Sequence, residues 1–202
     1  MNKISVIFWD FDGVLMDSNL VRDYGFKTVL SDFPQNEIDQ LMIFHQSNGG
    51  LSRYVKFKYF FEEIRNEKIT ESEIKVWADK FSIIMLDSLC KPELLIDETL
   101  SFVTAQYENY EMYIVSGSDG EELRIICDEL KISKYFKSIN GSPTPKTTLI
   151  KTILSENNYK NETCVLIGDS INDYSAAMDN AIYFKAYNNP IIEEKTNLIF
   201  TF

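Results

Sequence analysis

Val6-Ile7-Phe8-Trp9-Asp10-Phe11-Asp12-Gly13-Val14-Leu15 is the stretch on which the fold turns. Four apolar residues in a row suit a strand buried on both faces, as in a parallel sheet. Two aspartates follow at once. Residues i and i+2 of an extended chain point the same way, so both carboxylates can face one site above the strand's carboxyl end. Gly13 allows a sharp turn just beyond them. Such a pair offers a nucleophile with an acid/base partner, or oxygen ligands for a divalent cation.

The pattern recurs near the other end of the chain. Val165-Leu166-Ile167 runs into Gly168-Asp169-Ser170-Ile171-Asn172-Asp173. In an open α/β sheet, ligands bind outside the carboxyl ends of the strands, where loops distant in sequence meet. Between the two acidic loops lie Ser116, in Val115-Ser116-Gly117-Ser118, and Lys146, in Ser142-Pro143-Thr144-Pro145-Lys146. The combined set is four acids, a hydroxyl beside a glycine and one lysine.

Apolar runs place strands at 5–9, 111–115, 135–139, 163–167 and 181–184, with a short last strand at 197–200. Helical stripes at spacings of three and four cover 119–130, 147–155 and 171–179. Strands alternating with helices imply an α/β fold with a mainly parallel sheet covered on both faces. Residues 17–90 break that rhythm. Tyr54, Phe57, Phe61 and Ile64, then Ile74, Trp77, Phe81, Ile84 and Met85, form helical stripes without an intervening strand. They read as an inserted all-helical domain, with hinges at 15–18 and 89–92. A helix over 93–106 returns the chain to the core. The expected division is a core of 1–16 and 91–202 and a cap of 17–90.

On these four motifs the chain resembles a haloacid-dehalogenase-superfamily hydrolase. The resemblance is to the phosphatase type with an inserted helical cap, such as phosphoglycolate phosphatases and beta-phosphoglucomutases. All four motifs stand in order and span nearly the whole chain. The first and fourth are specific together; the serine and lysine alone are weak signals. Haloacid dehalogenases themselves usually lack the second aspartate, so Asp12 turns the reading towards phosphoryl transfer. The resemblance implies a Rossmann-like core and a Mg2+ cofactor.

Asp10 is the expected nucleophile, because a carboxylate can attack phosphorus and give an aspartyl-phosphate that water cleaves. Asp12 is the expected general acid and base; the resemblance adds a contact from its backbone carbonyl to the metal. Asp10, Asp12, Asp169 and Asp173 form the candidate metal set. Asp169 is the direct ligand by resemblance, while Asp173 binds directly, binds through water or orients Lys146. Ser116, the Gly117 amide and Lys146 are expected to hold the transferred phosphoryl group. Asn172 either contacts substrate or shapes the turn. Asp17 and Ser18 are expected to cap the first cap helix, and Asp17 alternatively lines the entrance.

The cap should choose the substrate. Arg53, Lys56 and Lys58 follow the polar break His45-Gln46-Ser47-Asn48-Gly49-Gly50. Arg53 is the expected substrate contact, since it lies nearest the glycines and can fork onto an anion. Lys56 and Lys58 read equally well as the solvated face of a helix. His45, the single histidine, either binds substrate or packs.

The net charge of −11 disfavours nucleic acid, which needs a cationic footprint. The N-terminal stretch reads as a strand and not a signal peptide. No run reaches transmembrane length. Cys90, Cys127 and Cys164 are scattered and odd in number, without a metal motif or disulfide framework. The expectation is a cytoplasmic enzyme acting on a small phosphorylated metabolite, with no membrane or obligate protein partner. A beta-phosphoglucomutase-like sugar phosphomutase is the nearest alternative. A haloacid dehalogenase fits less well because of Asp12. A non-catalytic regulatory protein fits less well because the chemical set is intact.

Overall fold

Trp9, Phe8, Ile7 and Val6 are fully buried and form β1 (Val6–Trp9), the middle strand of the sheet. The structure, a computed structural model, describes residues 3–198. β2 (Glu111–Asp119), β3 (Ser138–Ser142), β4 (Cys164–Gly168) and β5 (Tyr183–Ala186) complete five strands in the order β3-β2-β1-β4-β5. Every pairing is parallel, with Trp9 opposite Ile114 on one side and Ile167 on the other. Alternation sorts the side chains. Ile7, Trp9, Ile114, Val165 and Ile167 pack on one face, and Val6, Phe8, Val115, Cys164 and Leu166 on the other.

Strand order reverses around β1, so the carboxyl ends of β1, β2 and β4 border one crevice, the place where such sheets bind ligands. Helices α5 (Asp97–Gln106), α6 (Gly120–Glu129), α7 (Lys146–Glu156) and α8 (Ile171–Asp179) belong to this layer structure. Between β1 and α5 lie α1 (Asn19–Val29), α2 (Gln35–Ser47), α3 (Arg53–Tyr59) and α4 (Glu71–Leu89), with a π-helical turn at Phe60–Ile64. Their core is aromatic: Phe26 lies 4.5 Å from Phe81 and 5.4 Å from Phe57, ring centre to ring centre. The two connections run side by side, with Ile96 N–H donating to the Leu15 carbonyl and Asp17 N–H to that of Leu94.

The sheet departs from the sequence expectation at its edges. The strand expected at 135–139 begins at Ser138, because Ser133–Tyr135 closes as a 3-10 turn after α6. This edge strand is polar and half-buried, so an apolar run does not mark it. The strand expected at 181–184 is displaced to Tyr183–Ala186, because Ala181 takes φ 51° in the turn after α8. β2 runs on past Val115 to Asp119, through a register irregularity against β3. The helix expected over 93–106 splits into a 3-10 turn at Pro92–Leu94 and α5. Of the last strand expected at 197–200, Asn197 and Leu198 are not in a strand, and the remainder lies outside the described residues. Asn197 instead exchanges hydrogen bonds with Phe184, covering the outer edge of β5.

Candidate active site

Asp10 leaves β1 with its amide still bonded to the Ile167 carbonyl, 2.9 Å away, so its position is fixed by the sheet. One carboxylate oxygen lies 2.8 Å from Lys146 Nζ. Lys146, the first residue of α7, also donates to Asp173. Asp173 is fully buried as the third residue of α8. Its other oxygen accepts from the backbone and hydroxyl of Ser170, forming a reciprocal cap at the helix start. Asp169 arrives from the end of β4. A Cβ on Gly13, at φ +76°, would stand 2.1 Å from an Asp169 carboxylate oxygen, so only glycine lets the two loops meet this closely.

Asp10, Asp169 and Asp173 thus offer carboxylate oxygens within 4.8 Å of one another. Three carboxylates face one ammonium. Burial raises the Asp10 carboxyl well above its ordinary 3.8, and repulsion from Asp173 and Asp169 adds to that against the pull of Lys146. Asp169 is pushed up to about 7, again by burial first and Asp173 second. Burial opposes the charge on Lys146, but Asp10 and Asp173 outweigh it and hold the ammonium above its usual value. The cluster can coordinate a divalent metal: hard oxygen donors in excess of positive charge are the chemistry such an ion needs.

Asp12 faces elsewhere. It accepts from Arg22 Nε at 2.9 Å, and from the hydroxyls of Ser18 and Ser118. Burial alone would raise its carboxyl, but Arg22 and the two hydroxyls outweigh this and hold it at about 2. The Asp12 carboxylate is therefore committed to Arg22 and the two hydroxyls, and is not part of the Asp10, Asp169 and Asp173 cluster. Ser18 occupies the N-cap position of α1 without making a capping bond, its hydroxyl being spent on Asp12.

One cavity of about 380 Å³ joins these groups to the cap. Asp10, Asp12, Asp169, Ser116 and Gly117 line its sheet end, and Arg22, His45, Arg53 and Lys56 its cap end. Ser116 is 1 % exposed, and its oxygen accepts from the Ser118 amide at 3.1 Å. A Cβ on Gly117 would stand 2.3 Å from the Gly50 carbonyl, so the cap loop sits directly on this turn. Asn172 does not line the cavity. Its amide nitrogen is buried without a partner, and a Cβ on Gly50 would lie 2.9 Å from its Cβ. Lys58 is half exposed and 3.9 Å from Glu71, on the outside of the cap.

Arg53 borders the cavity but is heavily engaged. Its guanidinium donates twice to Glu122, at 2.6 and 2.8 Å, and once to Ser82, and it lies 4.6 Å from the Phe81 ring centre. Glu122, on α6, also accepts from Arg22 at 2.6 Å. Burial works against the Glu122 charge, but the two guanidiniums prevail and keep its carboxyl below the ordinary 4.5. Arg22, Glu122, Ser118, Asn188 and Asn189 are site residues that sequence reasoning passed over. Ser118 had a signal, since it stands two residues from Ser116 on the same strand. Glu122 reads as an ordinary acid in a helix's first turn, and Arg22 as one charge among several. Asn188 and Asn189 donate to the carbonyls of Gly13 and Asp169, at 3.2 and 2.7 Å, and tie the two acidic loops to the turn after β5.

Residues 6–186 match the haloacid dehalogenase-like hydrolase family. The chain belongs to that family. Its carboxylate cluster is consistent with the aspartyl-phosphate mechanism of haloacid dehalogenase-like phosphatases on small phosphate esters. A phosphoglycolate phosphatase of Colwellia psychrerythraea is 24 % identical over 183 residues, covering 88 % of this chain and 81 % of that protein. The chain's fold is similar to that of a beta-phosphoglucomutase from Clostridium difficile. The TM-score is 0.76 at 17 % identity, with 98 % of this chain and 91 % of the other covered. It is also similar to the fold of a predicted phosphoglycolate phosphatase from Haemophilus somnus. There the TM-score is 0.74 at 20 % identity, with 98 % and 93 % covered. Among the described residues, no helix is long and apolar enough to cross a membrane.

Proposed function

We propose that this haloacid dehalogenase-like hydrolase is a magnesium-dependent phosphatase of a small, soluble phosphorylated metabolite. The observation that carries the reading is the meeting of Asp10, Lys146 and the Asp169/Asp173 pair from three separate segments at one sheet edge. Asp10 attacks phosphorus through its carboxylate oxygen, the ester P–O bond breaks, and the departing oxygen takes a proton from Asp12. Water then loses a proton to Asp12 and attacks the same phosphorus, releasing phosphate and restoring Asp10. Ser116, the Gly117 amide and Lys146 hold the phosphoryl oxygens as charge spreads over them. Asp169 is the ligand expected to bind the ion directly, and Asp173 orients Lys146. A bound Mg2+ offsets the carboxylate charge and polarises the phosphoryl group.

Arg22 constrains the cycle. While it holds Asp12 ionised, Asp12 is ready to act as a base but has no proton to donate. Arg22 lies on α1 of the cap, so the cap supplies the charge beside the general acid and base. Release of inorganic phosphate across a panel of phosphorylated metabolites, with and without magnesium, tests the reading. Its failure on every ester would overturn it. The mutase reading uses the same aspartyl-phosphate, so product analysis with a hexose 1-phosphate separates the two: free hexose marks the phosphatase.

A further inference from the structure

The cap end of the cavity is lined by four basic side chains, and three of them have acidic partners. Arg22 is held by Asp12 and Glu122, and Arg53 by Glu122. His45 Nε2 lies 3.1 Å from an Asp23 oxygen. Lys56 differs. It is 3 % exposed and lines the cavity, yet no carboxylate pairs with it among the described residues. Its one hydrogen bond goes to the Gly49 carbonyl at 3.1 Å, and the Phe26 ring centre lies 5.7 Å away. An ammonium carries three donors, so two have no protein acceptor. Burial pushes the Lys56 ammonium down to about 7 against the pull of Asp12 and Asp23, neither of which contacts it, so an anion placed beside it favours the charged form.

We propose that Lys56 selects the substrate by binding a second acidic group, at the end remote from the reacting phosphate. The inference rests on the phosphatase reading and deepens it, and it moves to Lys56 the role that spacing suggested for Arg53. A substrate laid along the cavity has its phosphate at Asp10, Ser116 and Gly117 and its acidic tail at Lys56. The volume of about 380 Å³ falls at the small end of ligand pockets, which suits a metabolite of few carbons. A compact ammonium serves a carboxylate or a phosphate equally well, because it does not demand the planar fork that guanidinium does.

The test compares kcat/KM for 2-phosphoglycolate, with a carboxylate tail, a small sugar bisphosphate, and ethyl phosphate, with an uncharged tail. The wild-type enzyme is expected to favour one acid-tailed ester over ethyl phosphate by about tenfold or more, and which one it favours identifies the tail. Lys56→Met should cut that ratio about tenfold, mainly through KM, and Lys56→Arg should restore part of it. Equal losses on all three esters in Lys56→Met would mark a lysine that supports the cap only, and overturn the proposal. So would a wild-type enzyme without preference, a comparison that holds even where Lys56→Met fails to fold. Calorimetry on Asp10→Asn protein keeps this apart from the phosphatase reading. Tighter binding of an acid-tailed ester than of ethyl phosphate, lost when Lys56→Met is added, supports Lys56 whether or not turnover occurs; equal affinities, or a preference that survives Lys56→Met, overturn it.

Discussion

Asp10 and Asp12 stand two residues apart, yet their surroundings push them in opposite directions. Asp10 is raised by burial among like charges, while Asp12 is held at about 2 by Arg22 and two hydroxyls. Asp10→Asn should abolish the phosphoenzyme, with kcat down by about 10³-fold or more, because the neutral amide is a poor nucleophile where the carboxylate stood. Asp12→Asn keeps the attacking carboxylate and loses proton transfer, a loss of roughly 10²- to 10⁴-fold. That loss should shrink for esters with good leaving groups. Rapid quenching followed by mass spectrometry decides the assignment: a phosphate adduct on Asp12 and none on Asp10 would reverse the two roles.

α1 and α3 of the cap are fastened to α6 of the core through one carboxylate. Glu122 is 2 % exposed and accepts from both Arg22 and Arg53, and Tyr54 adds a bond to Asp119 at 2.7 Å. Removing one member of a buried ionic group leaves the others uncompensated and costs about 3–5 kcal/mol. Glu122→Gln should therefore lower the melting temperature by roughly 10 °C, whereas Lys75→Gln, which breaks an exposed pair with Asp79, should change it little. A calorimetric scan of the two variants checks the contrast, and equal, small shifts would deny the latch its energetic role. Because the Glu122 carboxyl is held below its unfolded value of 4.5, its contribution is present in full above that value. It is lost as pH falls through the lower folded value. The stability difference between wild type and Glu122→Gln should narrow on acidification below about pH 4.5.

Across the whole molecule, the excess of carboxylate over ammonium at the sheet edge links the fold to a cation. Chelation should abolish phosphatase activity and added magnesium restore it. Zinc is not the expected ion, since no cysteine or histidine joins the cluster. The ion should also stabilise the folded chain, by about 2.7 kcal/mol at a hundredfold excess over its dissociation constant. Melting curves in chelator and in magnesium read this without any substrate. Identical curves, together with full activity in chelator, would remove the metal from the mechanism.

The α/β order, the helical insertion and the four chemical motifs were legible in the sequence because each is written locally. Apolar runs mark buried strands, stripes at three and four mark helices, and the acids follow strand ends directly. The polar edge strand Ser138–Ser142 was displaced for the converse reason, since its pattern carries no apolar run. The sequence could not reveal what each charge would face. Arg53 and Glu122 are 69 residues apart, and Arg22 and Glu122 are 100 apart. Only packing of the cap on α6 brings them together. That packing commits Arg53 to the protein's own carboxylate and leaves Lys56, three residues on, buried without one. Local pattern determines where a side chain sits along its element. The partner that sets its charge and its task comes from another element, and the tertiary structure alone decides which.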